Sequence, residues 1–307
     1  MYPPAGVILF ARNIEDPRQL GLLVDALRRA LSAPAVLMVD QEGGRVARLR
    51  PPHWRAHPPA ASLGALFARC HDAGLRAAWL TGALIGHDCA AAGFDVVAAP
   101  VLDLAIPGAH GVIGDRAFAE DPVAVARLGR SLAAGLLAAG VQPVGKHAPG
   151  HGRAPVDSHL ALPRVEANHL EADLLPFALN TNLPWAMSAH IVYPAWDALP
   201  ATLSPKVIGT IIRERIGFEG VLVTDDLAMN ALSDPPADLA RQSLAAGCDI
   251  ALYCSGEPEP TAELLATCPN ITEAAAVRLA AARMMAARRR LPMDATPLVL
   301  ERDRLGA

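Results

Sequence analysis

One stretch of the sequence, KHAPGHGRAPVDSH from Lys146 to His159, carries a high density of groups that could do chemistry. It contains His147, His151 and His159, three of the ten histidines in the chain, together with Asp157. An aspartate two residues from a histidine is close enough to orient the imidazole and to stabilise its charged form. The Gly and Pro residues are typical of a loop. The stretch therefore predicts a proton-transferring pair, Asp157 and His159, on a loop.

The same histidines and aspartates would also be suitable ligands for a metal ion. Their spacing matches neither HExxH nor another familiar helical ligand pair, and no Cys lies among them. A metal-dependent hydrolase would use His147, His151, His159 and Asp225. We expect no metal and no cofactor, and we interpret His151 and His190 as structural residues.

A second stretch, VLVTDDLAM, ends an apolar run on two adjacent carboxylates, Asp225 and Asp226. Neighbours on an extended strand point to opposite faces, so we expect only one of them to enter a site. Asp225 is the candidate for a nucleophile or an electrostatic stabiliser. Asp226 is expected to cap the following helix.

Two further stretches carry charges that could bind a polar ligand. DQEGGRVARLR begins at Asp40 and contains Glu42, a Gly pair and Arg48, and GVIGDRAFAEDP contains Arg116. A carboxylate such as Asp40 can accept hydrogen bonds from two sugar hydroxyls at once. The glycine pattern lacks the GK[ST] ending of a phosphate loop, and its carboxylates would repel phosphate.

Lys146 is the most unusual basic residue of the chain. Of the 27 basic residues, 25 are Arg, and Lys146 and Lys206 are the only lysines. A position that keeps Lys in this background is expected to need a compact ammonium in place of a planar guanidinium. We therefore place Lys146 among the ligand-binding residues.

Seven short apolar runs must position these groups, and each run precedes a helical pattern rich in Ala, Leu and Arg. The runs are GVILF (6–10), AVLMVD (35–40), FDVVAAP (94–100), VQPVGKH (141–147), PWAMSAH (184–190), GVLVTDD (220–226) and CDIALYC (248–254). Continuous apolar strands that alternate with helices predict an α/β fold with a parallel sheet. Polar residues at the carboxyl ends of the runs favour a (β/α)8 TIM-type barrel, whose active site lies at that face. Because only seven runs are found, we expect the chain to lack the first strand of the barrel and to leave the outer two strands as neighbours across a gap.

The composition narrows the class of protein. The chain has 307 residues, of which 52% are hydrophobic and 4% aromatic, and no linker-like stretch divides it, which predicts one domain over residues 1–307.

A net charge of −4 without a basic block argues against nucleic acid as a partner. No apolar run reaches the roughly 18 residues of a membrane span, and no secretory signal pattern is found. Five scattered cysteines suit a reducing compartment. We predict a cytoplasmic monomer that binds a small molecule.

The motifs together resemble glycoside hydrolase family 3, and within it the single-domain bacterial β-N-acetylhexosaminidases of the NagZ type. The resemblance rests on GVILFARN, DQEGGRVARL, IGDRAF, KHAPGHG with DSH, AHIVYP and GVLVTDDLAM, in this order, from residue 6 to about residue 255. Two positions depart from the family pattern, since Ala148 replaces an aromatic residue and Arg153 replaces an acidic one.

The resemblance implies a role for each candidate residue. Asp225 would be the nucleophile that forms a covalent glycosyl-enzyme, and His159 would be the general acid and base, with Asp157 as its partner. The residues that would hold the non-reducing N-acetylglucosamine are Asp40, Arg48, Arg116, Lys146 and His147. The implied enzyme is a retaining exo-β-N-acetylglucosaminidase that acts on N-acetylglucosamine β-1,4-linked to 1,6-anhydro-N-acetylmuramic acid, with or without peptide, in peptidoglycan recycling.

Other functions stay open at this point. Within the same family the alternatives are a β-N-acetylglucosaminide phosphorylase and a β-glucosidase, although multidomain β-glucosidases are longer and generally lack the GHG and DSH motifs. A neutral His would not repel an incoming phosphate as a carboxylate would, so phosphorolysis stays an alternative to hydrolysis. From other classes, the alternatives are the metal-dependent hydrolase and a non-catalytic sugar-binding protein.

Overall fold

The centre of the fold is one parallel β-sheet. A computed structural model describes residues 3–31, 34–166 and 169–306 of the chain. Its seven strands lie side by side in chain order, each parallel to the next. They are β1 (Gly6–Leu9), β2 (Val36–Val39), β3 (Val96–Val97), β4 (Gln142–Ala148), β5 (Trp185–Ser188), β6 (Val221–Asp226) and β7 (Ile250–Leu252). Each strand overlaps one of the predicted apolar runs, so the predicted α/β class with a parallel sheet is confirmed.

The sheet curls so that its two outer strands face a common interior. Ile8 of β1 and Leu252 of β7 pack against the same apolar cluster as Val144 in the middle of the sheet. Arg12, just after β1, donates a hydrogen bond of 2.6 Å to the carbonyl oxygen of Cys254, just after β7. Within the described residues, β1 and β7 share no ladder, and no eighth strand joins the sheet. The fold is thus a TIM-type, partly closed barrel, and the lack of a first strand stays a prediction.

Helices surround the sheet, and most of them lie on its outer side. They are α1 (Pro17–Ala30), α2 (Ala60–Arg69), α3 (His71–Ala91), α4 (Pro122–Ala138), α5 (Glu171–Ala178), α6 (Pro236–Ala246), α7 (Pro258–Thr267), α8 (Glu273–Arg289) and α9 (Ala295–Leu305). Local sequence explains why α1 begins at Pro17. The side chain of Asp16 caps the helix by accepting a hydrogen bond of 2.8 Å from the Gln19 amide, and proline is favoured at the first helical position. Leu20 and Val24 lie one turn apart on the buried face of α1.

Small residues let α3 and α4 approach each other closely. A side chain on Gly82 would place its Cβ 2.0 Å from the carbonyl oxygen of Leu132, and one on Gly135 would lie 2.1 Å from that of Trp79. Neither position can hold a larger residue without moving a backbone. Close helix packing of this kind explains how a chain with so few aromatic residues still fills its core.

Helix α8 crosses the amino-terminal ends of the strands. Its Leu279 packs into the apolar cluster of the barrel interior. Arg278 forms an ion pair of 2.7 Å with Asp249, just before β7, and Arg283 donates to the carbonyl oxygen of Pro34, just before β2. These contacts span the barrel, so α8 covers the end of the interior that lies away from the polar strand ends.

Among the residues that the structure describes, no helix is both long enough and apolar enough to cross a bilayer.

We predict that Leu279→Ala lowers the free energy of unfolding by about 2–5 kcal/mol, because it opens a cavity at the base of the barrel. Urea unfolding followed by circular dichroism would measure the change. Val277→Ala is the matched control, since Val277 lies on the same helix but is 63% exposed. An equal loss in the two variants would show that α8 does not cover the interior.

Candidate active site

The carboxyl ends of the strands surround an open cleft of about 780 Å³. Active sites of parallel β/α barrels lie at this face. Seven of the eight residues that the sequence predicts for the site line the cleft, namely Asp40, Arg48, Arg116, Lys146, His147, His159 and Asp225. The eighth, Asp157, is hydrogen-bonded to the ring of His159. Apolar side chains complete the wall, among them Phe10, Val46, Ile113, Met187 and Met229.

Five charged side chains form a continuous cluster on one side of the cleft. The Lys146 ammonium lies 2.7 Å from Asp40 Oδ1 and 2.6 Å from Glu42 Oε1. Arg116 donates two hydrogen bonds to Glu42, of 2.9 and 2.8 Å. Arg48 donates one of 2.8 Å to Asp40. An ammonium has three protons and these carboxylates engage two, so the third can reach a ligand hydroxyl.

The cluster keeps its charges despite burial. Burial raises the pKa of Glu42, but the charges of Lys146 and Arg116 outweigh burial and hold the pKa far below its ordinary value. Burial likewise lowers the pKa of Lys146, and the carboxylates of Asp40 and Glu42 reverse that shift and raise it. The site therefore offers fixed cations and anions to the hydroxyl groups of a neutral ligand.

The turn after β2 explains how Asp40, Glu42 and Arg48 come together. Asp40 and Glu42 are two residues apart and so lie on the same side of an extended chain. The chain then turns at Gly43, where φ is 99° and an added Cβ would lie 2.4 Å from the carbonyl oxygen of Pro58. The chain returns against the Gln41 side chain, which accepts a hydrogen bond of 2.7 Å from the Arg48 amide.

His147 and the backbone that follows it are held by Asp103. Asp103 Oδ2 lies 2.7 Å from His147 Nδ1, and its Oδ1 accepts a hydrogen bond of 2.6 Å from the His151 amide. The Asp103 side chain is fully buried. Burial raises the pKa of Asp103, but the charge and hydrogen bond of His147 and the nearby His151 bring it below the ordinary value. The Asp103 contact orients His147 and leaves its Nε2 for the cleft.

The two adjacent carboxylates of β6 have different partners. Asp226 Oδ1 accepts hydrogen bonds of 2.9 Å from the amides of Ala228 and Cys254, so its side chain fastens the turn after β6 to β7. This turn precedes α6 by several residues, so the prediction that Asp226 caps the following helix is wrong. Both carboxylates line the cleft, which departs from strict alternation, and the β6–β7 register shifts between Val223 and Asp226.

Asp225 is the carboxylate that stays ionised. Burial raises its pKa, but the charges of His147 and His190, together with a hydrogen bond from the Asp226 amide, lower it to about 2. The pKa of Asp226 is raised, first by burial. A strongly ionised carboxylate at the end of a barrel strand is suited to act as a nucleophile or to stabilise a developing cation.

The predicted pair of Asp157 and His159 is present at the cleft. Asp157 Oδ1 lies 2.7 Å from His159 Nδ1 and accepts a hydrogen bond of 2.9 Å from the His159 amide. Burial raises the pKa of Asp157, but the hydrogen bonds and charge of His159 bring it below its ordinary value. The His159 side chain is 63% exposed, so its other ring nitrogen can reach a ligand in the cleft.

The two histidines interpreted as structural are both buried and bonded within the protein. His190 lies 2.9 Å from Thr202 Oγ1 and 3.0 Å from the carbonyl oxygen of Asp226. His151 lies 3.0 Å from Ser158 Oγ. In the part of the chain that the structure describes, no three His, Cys, Asp or Glu side chains are grouped so as to hold a metal ion.

Three residues that shape this site were not among the eight predicted to act in it. Glu42 joins Lys146 to Arg116, and its spacing from Asp40 was a usable signal, because alternate residues of a strand share a face. Asp103 is a polar residue at the end of a predicted strand, as the other candidates are, but no role in the site was predicted for it. Gln41 had no signal in the sequence.

Known proteins resemble this chain over most of its length. Residues 2–292 match the model of the glycosyl hydrolase family 3 N terminal domain. A β-hexosaminidase of Bordetella parapertussis is 43% identical over 267 residues, which cover 85% of this chain and 75% of that protein.

Two solved structures share the fold. NagZ from Neisseria gonorrhoeae, in complex with N-trifluoroacetyl-D-glucosamine, superposes with a TM-score of 0.87 at 33% identity over 99% of this chain and 91% of that one. A family 3 β-N-acetylglucosaminidase from Paenibacillus sp. str. FPU-7 has a TM-score of 0.85 at 31% identity and covers 98% of this chain and 62% of that one. From the family match and these relatives, the chain belongs to glycosyl hydrolase family 3 and is a glycoside hydrolase.

Proposed function

We propose that this glycoside hydrolase is a retaining exo-β-N-acetylglucosaminidase that removes non-reducing N-acetylglucosamine from muropeptide fragments in peptidoglycan recycling. The observation that carries the proposal is the pairing of an ionised Asp225 with an accessible His159–Asp157 pair in one cleft. A catalytic domain over residues 1–307, a cytoplasmic location and a monomeric state stay predictions.

The charged cluster is suited to hold the sugar that is released. Asp40 can accept hydrogen bonds from hydroxyl groups, while Lys146, Arg48 and Arg116 can donate them. Because these charges are already paired and buried, their positions need little reorganisation when a sugar binds. His147, fixed through Asp103, contributes a further polar contact at the same wall.

Asp225 is placed to attack the anomeric carbon. With a pKa of about 2 it is an anion at neutral pH, as a nucleophile must be. Its oxygen would form a bond to the anomeric carbon while the bond from that carbon to the leaving oxygen breaks. The Lys146 ammonium is close enough to stabilise the carboxylate before attack.

His159 is suited to supply and remove the proton. In the first step its imidazolium would protonate the leaving oxygen, and in the second the neutral imidazole would take a proton from the attacking water. Water then restores Asp225 and releases the sugar with its original anomeric configuration. Asp157 stabilises the charged imidazole and fixes its orientation.

The substrate class is supported by the relatives. The similar NagZ was crystallised with an N-acylated glucosamine, and the relative from Bordetella parapertussis is named for hexosaminide hydrolysis. We extend the amino-sugar preference to this chain and place N-acetylglucosamine in the cleft. Muropeptide fragments as the natural source follow from the resemblance of the motifs.

Product analysis tests the proposed reaction. With N-acetylglucosamine β-1,4-linked to 1,6-anhydro-N-acetylmuramic acid, NMR should show the β-anomer of free N-acetylglucosamine as the first product, with or without phosphate. A sugar 1-phosphate as the main product would identify a phosphorylase. Loss of activity with chelator and its return with zinc would favour the metal-dependent hydrolase, and no turnover of any β-glycoside would favour a binding protein.

We predict that Asp225→Asn lowers kcat/KM by about 10³-fold or more, because an amide cannot act as an anionic nucleophile. Asp226→Asn is the matched control, since an amide oxygen can still accept the hydrogen bonds from Ala228 and Cys254. Steady-state kinetics on 4-nitrophenyl N-acetyl-β-D-glucosaminide would measure both variants. If Asp226→Asn lowered kcat/KM severely and Asp225→Asn lowered it little, Asp226 would be the nucleophile.

We predict that His159→Ala lowers kcat/KM by roughly 10²-fold for a disaccharide and by less than about 10-fold for the 4-nitrophenyl substrate. Nitrophenolate is a good leaving group and needs little protonation, whereas a sugar alkoxide needs a proton. Asp157→Asn should give a smaller effect of the same kind. Equal losses on the two substrates would assign His159 to binding.

A further inference from the structure

The segment that carries Asp157 and His159 is largely exposed and makes few hydrogen bonds to the rest of the protein. In this dyad segment, residues 155–162, Ser158 is the only buried residue. The Asp157 carbonyl oxygen accepts hydrogen bonds from the Leu160 and Ala161 amides, of 2.9 and 3.0 Å, so the segment forms a local turn of its own. The residues on either side of it, Ala154 and Pro163, are buried and hydrogen-bonded through their carbonyl oxygens, so within the segment the contact of Ser158 is the one that can fix its position over the cleft.

Ser158 is held by His151, and His151 is anchored at the base of the cleft. Ser158 Oγ lies 3.0 Å from His151 Nε2. Among the hydrogen bonds of the described residues, this is the one that joins the dyad segment to the rest of the chain. The His151 amide donates to Asp103, whose other oxygen binds His147. A chain of short contacts thus connects the dyad segment to the wall that carries His147.

We propose that Ser158 and His151 are positioning residues, whose hydrogen bond holds the His159 imidazole over the cleft. The inference rests on the proposed function, in which His159 transfers the proton. Asp157 cannot do this alone. Because Asp157 and His159 are two residues apart on one turn, their contact orients the ring within the segment but does not fix the segment relative to Asp225.

The state of His151 suits this role. Burial lowers its pKa to about 4, so its ring is neutral at neutral pH. A neutral imidazole can either accept from the Ser158 hydroxyl or donate to it, and both forms keep the hydrogen bond. His151 is almost fully buried and lines the cleft together with Ser158, and the proposed reaction assigns it no chemical step.

Loss of the hydrogen bond should weaken proton transfer selectively. A proton donor that spends less time within reach of the leaving oxygen slows only the reactions that need its proton. Binding of the sugar at the charged cluster should be unaffected. The expected signature is therefore the leaving-group dependence of His159→Ala, at a smaller size.

The test compares four forms of the enzyme, namely wild type, Ser158→Ala, His159→Ala and the double variant. We expect Ser158→Ala to lower kcat/KM about 10-fold for N,N′-diacetylchitobiose and less than about 3-fold for the 4-nitrophenyl substrate. In the His159→Ala background it should cause no further loss, because the group that it positions is gone. His151→Gln, which keeps an amide near the Nε2 position, should retain more activity on chitobiose than His151→Ala.

Val156→Ala is the matched control, since Val156 is an exposed residue of the same segment, and it should leave both substrates unchanged. Equal losses of Ser158→Ala on the two substrates, or a full further loss in the His159→Ala background, would overturn the positioning role and assign Ser158 to stability. If His159→Ala shows leaving-group dependence and Ser158→Ala does not, only the positioning role fails. If His159→Ala itself shows none, the proposed acid function fails, and the positioning role fails with it.

Discussion

The ammonium of Lys146, buried between Asp40 and Glu42, is the interaction on which the arrangement of the cleft depends. An isolated buried charge costs several kcal/mol, so none of the three groups can occupy its place without the others. Since Glu42 also binds Arg116, the cluster joins the ends of β2 and β4 to the loop after β3. A Lys in a chain that otherwise uses Arg fits this geometry, because a compact ammonium lies between two carboxylates where a guanidinium fork would need more room.

The features that the sequence predicts correctly are those set by local pattern and by the topology of a parallel sheet. Continuous apolar runs become strands in chain order, and every strand then ends at the same face. Polar residues far apart in the chain, such as Asp40, Lys146 and Asp225, are thereby brought to one cleft without any knowledge of individual contacts. The pair of Asp157 and His159 was predictable for a different reason, since its spacing makes the contact local.

The features that the sequence does not reveal depend on contacts between elements. Asp103 serves His147 and His151 only because the loop after β3 lies beside the end of β4, and no local pattern reports this. Strict alternation would have placed Asp226 away from the cleft. Where the register of β6 and β7 shifts, both carboxylates line the cleft. The two differ in their hydrogen-bond and charge partners: Asp225 stays ionised, whereas Asp226 is hydrogen-bonded to the backbone of the following turn and of the chain after β7.

Asp225 and His159 are positioned in contrasting ways, and the proposed reaction explains the contrast. A nucleophile acts on one atom at a fixed place, so a strand end with buried charges around it is a suitable support. The proton donor must lie beside the leaving group, let that group depart, and then serve water at the same point, which requires an accessible residue. An exposed turn gives that access but little rigidity. In the proposed arrangement, the buried hydrogen bond between Ser158 and His151 holds the turn in place. The His159 imidazole meanwhile stays open to substrate and water.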